Sequence, residues 1–434
     1  MRAPDTDAYL TAERRMALAR ERDDLLTTVR GLDGFAEFLR PPRLTALLPA
    51  AADGPIAIIN VSASRCDALL VRVNGVQPVH LPHLSLDAVI DHTNDYLRVL
   101  HQVDQAAHDL HTARKEVESG PPTPGVIRRY SDAKRTYQRA TVDRDDTLDA
   151  LLRWLWDTTA EPILTALGFT GRPARDTPLP RLWWCPTGPL TMLPLHAAGH
   201  HDPERPAGRS VLDRVVSSYT PTLRALVEAR RPLRPQPAND RILVVSLPDT
   251  PDEAPLTNVE RERNLLAALF PDQHTLLEGE HATAATVLEE LPRHRWAHFS
   301  CHGGQDLRNP SHGGLILHDR TLTVADLAAR QHAGEFAFLS ACMTAVGGIT
   351  LPDEAITLAA ALHYTGYRQV IGTLWSVHDQ TAADVAEAVY AHLTVTGTFT
   401  PHAAARALHV AVRQLRDSAH LPMGAWTPFT HTGP

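Results

Sequence analysis

Short apolar runs alternate with amphipathic stretches through the second half of this 434-residue chain. Five runs are almost continuously apolar and have the length of strands buried on both faces: 242–247, 274–277, 296–300, 336–340 and 370–374. Stretches with helical periodicity lie between most of them, at 257–269, 282–291, 353–364 and 379–392. This alternation predicts an α/β fold in which a parallel-dominated sheet is flanked by helices. In such folds the chemistry lies at the carboxyl ends of the strands.

The first 150 residues follow a different pattern. Apolar residues recur at helical spacing over 8–40, 85–118 and 126–168. Three short apolar runs come between the first two of these stretches, at 56–61, 68–73 and 76–81, and Asn74-Gly75 predicts a hairpin turn between the last two. We therefore predict a helical N-terminal region with a small antiparallel sheet over 1–150, followed by a separate α/β domain over 151–434.

Composition and charge exclude several classes of function. The net charge is −8 and Lys and Arg form no large cluster, so we expect no direct binding of nucleic acid. The N-terminus lacks the apolar segment of a signal peptide, and no apolar run is long enough to predict a membrane span. The four cysteines do not form the pattern of a disulfide framework. We expect a cytoplasmic protein with reduced thiols, and the abundance of Arg, Ala and Pro suits a GC-rich bacterial genome.

Two predicted strands end in residues that can carry nucleophilic chemistry. His302 and Gly303 follow the run at 296–300, and Cys342 follows the run at 336–340. If these strands are neighbours, an imidazole and a thiol emerge side by side at one edge of the sheet. The imidazole would deprotonate the thiol and later protonate the leaving amine. The backbone N–H groups of Gly303 and Cys342 would stabilise the oxyanion.

The same segments resemble the His-Gly and Ser-Ala-Cys motifs of CHAT domains, which are clan CD relatives of caspases and separases. The resemblance continues, in the family's order, at 183–196, 218–223, 372–379 and 426–429. It implies a caspase-like α/β fold and a cysteine endopeptidase that cleaves a specific protein substrate. Carried onto this chain, the nucleophile is Cys342 and its base is His302. The resemblance also implies that the region 1–150 is a regulatory or pseudo-caspase part.

The resemblance further predicts residues that bind the substrate. In caspase relatives, the segment after the fifth strand pairs with the peptide backbone, which makes Trp375, Ser376 and Val377 the wall and docking strand of the groove. For Trp375 a place in the core is the alternative interpretation. The loop after the first strand often lines the pocket for the side chain before the scissile bond. In this chain that loop contains Asp249 and Asp252, whose charges would favour Arg or Lys in the substrate. A solvated loop with no role in specificity is the alternative interpretation of Asp249, Asp252 and Glu253.

Proteins of this family are often fused to repeats or governed by sensor proteins in bacterial antiviral defence and cell death. This sequence contains neither a large repeat array nor a phosphate-binding Gly-rich loop, so we predict a separate activating or sensor protein. No cofactor is expected. Two other functions stay open: a non-catalytic interaction module with the same fold, and a thiol hydrolase that acts on amides or acyl groups of small molecules.

Other polar residues are interpreted as structural. The spacing of five residues near the motifs matches no standard zinc ligand set, so we predict no metal site there: His298, Cys301, His302, His312 and His318. Cys301 is interpreted as a core thiol. Asp379 is predicted to cap the helix over 380–392. Thr257 and Glu260 predict a capping box that also accounts for the neighbouring Glu262 without a functional role.

Overall fold

A computed structural model describes residues 6–32, 35, 38–40, 42–121, 123–174, 177–202, 208–231, 240–251, 253–306, 309–330, 333–342, 344–345, 357–418 and 421–434. The chain divides into two compact units, Met1–Pro49 and Ala50–Pro434. The smaller unit contains helices α1 (Thr6–Arg30) and α2 (Leu44–Leu47). The helix predicted over 8–40 thus ends at Arg30, where Gly31 closes the last turn through its N–H to the Thr27 carbonyl.

The larger unit contains the remaining elements. Its helices are α3 (Leu86–Glu118), α4 (Pro124–Leu155), α5 (Glu161–Leu167), α6 (Val211–Arg214), α7 (Leu223–Ala229), α8 (Val259–Leu269), α9 (Ala284–Glu290), α10 (Val324–Ala328), α11 (Leu358–Thr365), α12 (Asp379–Leu393), α13 (Ala404–Asp417) and α14 (Met423–Trp426). Its strands are β1 (Ile56–Asn60), β2 (Asp67–Arg72), β3 (Gly75–His80), β4 (Arg181–Pro186), β5 (Val216–Tyr219), β6 (Ile242–Ser246), β7 (His274–Glu278), β8 (Trp296–Ser300), β9 (His302–Gly304), β10 (Gly314–Ile316), β11 (Thr321–Thr323), β12 (Phe336–Ser340), β13 (Gln369–Thr373) and β14 (Phe429–Thr432).

Eleven of the described strands form one sheet in the order β3-β2-β1-β4-β5-β14-β13-β12-β8-β6-β7. Pairing is parallel from β1 to β14 and again from β13 to β7, while β13 and β14 pair antiparallel. The sheet therefore holds two parallel blocks that run in opposite directions. In the second block, the carboxyl ends of β6, β8, β12 and β13 meet at one edge, which is where the sequence predicts the chemistry.

Helices cover both faces of this second block. Leu243 and Phe299 pack in a buried cluster with residues of α9, α10 and α11. Val244 and Phe338, which alternate with them along the strands, pack with residues of α8, α12 and α13. Burial of both faces explains why these strands are apolar throughout, and the predicted fold of a parallel-dominated sheet flanked by helices is confirmed.

The predicted N-terminal hairpin is present as β2 and β3, with Gly75 at a φ of 145° just after the turn. Its strands are not a sheet of their own, because β1 pairs with both β2 and β4 and joins them to the large sheet. The antiparallel strands thus extend the parallel block that starts at β1. The domain boundary at 150 stays a prediction.

Two predicted helix caps are wrong. The Asp379 side chain does not cap its own helix α12; its Oδ2 accepts from the Thr257 hydroxyl at 3.1 Å and from the Asn258 backbone N–H at 3.0 Å. Asn258, rather than Thr257, precedes α8, and no Glu260 capping box forms. The Asp379 carboxylate at the start of α12 therefore accepts a hydrogen bond from the backbone N–H just before α8, because α8 and α12 pack side by side on the same face of the sheet.

Candidate active site

The strands that carry His302 and Cys342 are neighbours. β8 and β12 pair in parallel, and the last pair in register is Ser300 with Ser340. The histidine and the cysteine each lie two residues beyond that pair. The segments also touch: a Cβ atom built on Gly303 would lie 2.5 Å from the Cys342 carbonyl oxygen and 3.3 Å from its backbone nitrogen. The structure thus brings the two sequence-predicted motifs into direct backbone contact.

The His302 ring is held by the loop that follows β6. Its Nε2 lies 2.8 Å from the Ala254 carbonyl oxygen, which can only accept a hydrogen bond. Nε2 therefore carries a proton, and in the neutral imidazole Nδ1 keeps the free lone pair. The loop is closed by a hydrogen bond from the Leu256 N–H to the Pro248 carbonyl at 2.8 Å. This loop orients the imidazole, a role that the sequence did not indicate.

The turn that contains Cys342 is tied to the end of β13. The Thr373 hydroxyl donates to the Ala341 carbonyl at 2.8 Å, and the Thr373 N–H donates to the Thr344 hydroxyl at 3.0 Å. The Ala345 N–H donates to the Thr373 carbonyl at 2.8 Å. Residues on both sides of the cysteine are therefore fixed to the neighbouring strand.

Cys342 differs from the other thiols in its exposure. Of the four cysteines, all of which the structure describes, Cys66, Cys185 and Cys301 are buried and Cys342 is partly exposed; none forms a disulfide. Burial raises the pKa of Cys185 to about 12 and raises that of Cys301 still further. Cys301 packs in the core, as its alternation with His302 along the chain predicts.

The electrostatic surroundings of Cys342 favour the neutral thiol. Burial is the main cause that raises the pKa of Cys342, and it outweighs hydrogen bonds from the Val377 N–H and the Ser376 hydroxyl, which lower it. The carboxylates of Asp104 and Glu253 raise this pKa further. At neutral pH the resting cysteine is therefore protonated, and a base is needed to generate the nucleophile.

The predicted substrate-binding residues lie in different surroundings. Ser376 and Val377 reach the Cys342 sulfur, in an irregular segment that follows β13. Trp375 is only 2 % exposed; its ring packs edge-on against Tyr96 at 5.3 Å, and its Nε1 donates to the Gly424 carbonyl at 3.2 Å. Trp375 therefore belongs to the core rather than to an open surface.

In the acidic loop after β6, Glu253 is the residue whose charge acts on the Cys342 thiol. Asp249 is exposed, and Asp252 lies outside the described residues. The second carboxylate that acts on the thiol, Asp104, comes from α3, and the Ser376 hydroxyl is within hydrogen-bonding reach of it. Nothing in the sequence around Asp104 could have indicated this position, because α3 is more than 200 residues from Cys342 along the chain.

Glu262 is a further residue that the sequence interpretation missed. It is 3 % exposed and accepts hydrogen bonds from His298, Ser300 and Ser340 beneath the candidate site. A signal was present, since Glu262 lies on the buried stripe of α8 between Val259 and Leu266. A carboxylate on the apolar face of a helix indicates a buried partner.

Among the described residues, no group of three or more His, Cys, Asp or Glu side chains is placed to hold a metal ion. None of the helices in the described part of the chain has both the length and the apolarity needed to cross a membrane.

A model of one protein family, the CHAT domain, matches residues 149–434. The chain belongs to the CHAT-domain family. The match covers β4 to β14, and therefore both candidate catalytic residues, while α3 and its Asp104 precede it. No curated protein matches the sequence of this CHAT-domain chain.

Solved structures show the same fold. The separase of the Saccharomyces cerevisiae separase–securin complex, in structures at 2.6 and 3.0 Å resolution, matches 90 % of this CHAT-domain chain with TM-scores of 0.57 and 0.56 and identities of 12 % and 11 %. The match covers 31 % and 30 % of those separase chains, so this chain spans about a third of their length. The arginine-specific cysteine proteinase gingipain R is also similar, at 11 % identity and a TM-score of 0.43, over 68 % of this chain and 75 % of its own. The fold is caspase-like.

Proposed function

We propose that this CHAT-domain protein is a cysteine endopeptidase in which Cys342 is the nucleophile and His302 the base. The observation that carries this proposal is the contact between the two motifs, where Gly303 lies directly against the Cys342 backbone. Because the His302 Nε2 is committed to Ala254, Nδ1 is the nitrogen that takes the thiol proton. Cys342 is also the one cysteine of the four whose residue is partly exposed, whereas the other three are buried.

The reaction follows from these groups. Nδ1 of His302 removes the Sγ proton of Cys342, and the thiolate attacks the carbonyl carbon of the scissile bond. The backbone N–H groups of Gly303 and Cys342 stabilise the oxyanion of the tetrahedral intermediate. The C–N bond breaks as the imidazolium protonates the leaving amine, which leaves a thioester. His302 then takes a proton from water, the hydroxide cleaves the thioester, and the proton returns to the sulfur.

A substrate with Arg or Lys before the scissile bond is favoured by the charge at the site. Asp104 and Glu253 place two carboxylates close enough to Cys342 to raise its pKa, and Asp249 and Asp252 belong to the same loop as Glu253. A cationic side chain would neutralise these charges and make the thiolate easier to form. Ser376 and Val377 would then break their hydrogen bonds to the Cys342 sulfur and bond to the peptide backbone instead. The buried Trp375 would support this segment from the core.

An activating or sensor protein is part of this proposal. The resting thiol is protonated and its sulfur already receives hydrogen bonds from residues 376 and 377, so the site needs rearrangement before it cleaves. A partner protein that binds the N-terminal region would act on the thiol through Asp104, which lies on α3 and raises the pKa of Cys342. The setting proposed from the family is a bacterial defence or cell-death pathway in the cytoplasm, where four free cysteines would stay reduced. The separase neighbour was solved with its partner securin.

Labelling with peptide-like thiol-reactive probes tests the proposal. Probes that end in Arg, Leu or Asp are applied to the wild type and to Cys342→Ala, His302→Ala and Cys301→Ala. We expect the label on Cys342, fastest with the Arg probe, lost in the first two variants and kept in the third, which removes only the adjacent buried thiol. Labelling that is spread over several cysteines, or that is unchanged in His302→Ala, would refute the dyad.

The second candidate function is a non-catalytic interaction module. The hydrogen bonds that the buried Cys342 sulfur receives from Ser376 and Val377 favour it, since they place these two residues between the sulfur and an incoming peptide. Repeating the labelling in native lysate separates the two functions, because a latent enzyme gains reactivity with its activator and an interaction module does not. A small-molecule hydrolase would instead reject the peptide probes while accepting a short thioester.

A further inference from the structure

One buried carboxylate connects the two strands that carry the candidate catalytic residues. Glu262 Oε1 accepts from the Ser340 hydroxyl at 3.0 Å, and Glu262 Oε2 accepts from the Ser300 hydroxyl at 3.0 Å. Ser300 is the last paired residue of β8 and Ser340 the last of β12. Glu262 itself comes from α8, which packs on the face of the sheet. The carboxylate thus bridges the strand ends through both of its oxygens.

The bridge lies immediately below the dyad. Side chains alternate between faces along a strand, so residues two positions apart point to the same side. His302 lies two residues after Ser300, and Cys342 two residues after Ser340. Beyond this level β8 and β12 no longer pair as strands, because the chain after Ser300 enters β9 of the three-stranded sheet and the chain after Ser340 turns. The Glu262 bridge is therefore at the last level where the two strands are still paired.

The carboxylate is itself held in place. His298 Nε2 lies 2.7 Å from Glu262 Oε2, and the other ring nitrogen of His298 lies 3.1 Å from the Tyr390 hydroxyl on α12. The imidazole stacks on Phe338 with ring centroids 5.2 Å apart. Two buried donors, His298 and Ser300, and the partly buried Ser340 converge on one buried carboxylate, where hydrogen bonds to a charged group are strong and geometrically selective.

We propose that Glu262 is a positioning residue for the dyad: it fixes the separation of the β8 and β12 ends so that His302 can reach the Cys342 thiol. This inference rests on the proposed peptidase function and adds to it a residue that touches neither the substrate nor the thiol. A glutamine at 262 would keep the shape but replace one acceptor oxygen by a donor, so a single carboxylate is what satisfies both serines and the imidazole.

The serines offer a cleaner test than Glu262, since removing the carboxylate would take the shared acceptor from the buried His298 and Ser300 and from the partly buried Ser340 at once, and risks unfolding. Ser300→Ala and Ser340→Ala each remove one arm of the bridge, and Ser300→Ala also removes the 2.8 Å contact with His298 Nε2. Ser246→Ala is the matched control: Ser246 pairs with Ser300 in the same row of the sheet and is fully buried, but its hydroxyl bonds to Glu278 at 3.4 Å. The three variants lose the same hydroxyl at the same level.

The readout is inactivation by the Arg-terminated probe, resolved into a rate constant for bond formation at Cys342 and a binding constant, together with thermal unfolding midpoints. We expect Ser300→Ala and Ser340→Ala to lower the rate constant about tenfold with binding within about twofold, as loss of a charge-assisted hydrogen bond implies. Ser246→Ala should keep the wild-type rate although it also removes a buried hydroxyl and its hydrogen bond. Equal rates in all three variants would overturn the positioning role and leave the proposed peptidase intact.

If the peptide probe does not label Cys342 in the wild type, the result counts against the proposed function instead. The positioning role is then measured with iodoacetamide, as the rate of Cys342 alkylation against pH with His302 present or replaced by Ala. An effect of His302 that disappears in Ser300→Ala and Ser340→Ala, and persists in Ser246→Ala, would support the bridge. An alkylation profile that is indifferent to His302 in the wild type would overturn it.

Discussion

Replacing Gly303 with alanine tests the contact on which the proposed dyad depends. The new Cβ would lie 2.5 Å from the Cys342 carbonyl oxygen, about 0.9 Å short of the 3.4 Å at which ordinary contact begins. The clash is with backbone, which no side-chain rotation can relieve, so the His302 segment and the Cys342 turn must move apart by nearly 1 Å. A misplacement of about 1 Å between reacting groups costs on the order of 100-fold in rate. Overpacking of this kind also costs about 1–3 kcal/mol of stability.

The neighbouring glycine provides the matched control. A Cβ built on Gly304 has no heavy atom within 4 Å, and its backbone does not require glycine. We expect Gly303→Ala to fold and to label at Cys342 about 100-fold more slowly than the wild type, and Gly304→Ala to label at nearly the wild-type rate. The assay is the time course of Arg-probe labelling, with circular dichroism and thermal unfolding as measures of folding. Wild-type labelling by a folded Gly303→Ala, or an equal loss in Gly304→Ala, would refute the reasoning.

Three further predictions concern charge and stability. Replacing Asp104 by Asn and Glu253 by Gln removes negative charges that raise the pKa of the Cys342 thiol, so alkylation of Cys342 at pH 7 should be faster than in the wild type; an unchanged rate would contradict this. Burial lowers the pKa of three histidines to about 4: His196, His201 and His363. Because the unfolded chain binds these protons first, stability should fall as the pH drops from 6.5 towards 4, by about 1.4 kcal/mol per unit for each histidine, and urea unfolding at pH 7 and 5 measures it. Asp379→Ala should lower the free energy of unfolding by about 1 kcal/mol, because the start of α8 loses its hydrogen bonds to the Asp379 carboxylate. Replacing the exposed Glu260 by Ala should lower the free energy of unfolding by less than about 0.5 kcal/mol, measured by the same urea unfolding. Equal losses of stability in the Asp379 and Glu260 variants would support the predicted capping box instead.

Much of the parallel block that carries the candidate site could be predicted from the local sequence pattern. The strands β6, β8, β12 and β13 were predicted to within about a residue, because burial on both faces leaves a continuous apolar run between helical stretches. The same runs located His302 and Cys342 at the carboxyl ends of their strands. Short motifs in the family's order then predicted the caspase-like fold, which the separase match confirms.

The caps at Thr257 and Asp379 show where local reasoning failed. Each residue has the chemistry of an N-cap and stands beside the start of a helix, so the sequence favours a bond within its own turn. In the structure the two bond to each other across 122 residues, since α8 and α12 lie side by side. A cap is satisfied by whichever partner is nearest in space, and a neighbouring helix can be nearer than the helix's own first turn.

The sequence by itself determined the strands β6, β7, β8, β12 and β13 and most of the helices between them, which thiol ends a strand beside a His-Gly segment, and which family the chain resembles. The tertiary structure alone decided that Gly303 touches Cys342, that Ala254 holds His302, and that Glu262 joins Ser300 to Ser340. The physical reason is range. Periodicity and motif spacing report interactions within a turn or a strand, whereas these contacts join residues about 40 to 80 positions apart. Such contacts follow from the strand order β12-β8-β6 and the packing of α8, which the local pattern does not encode.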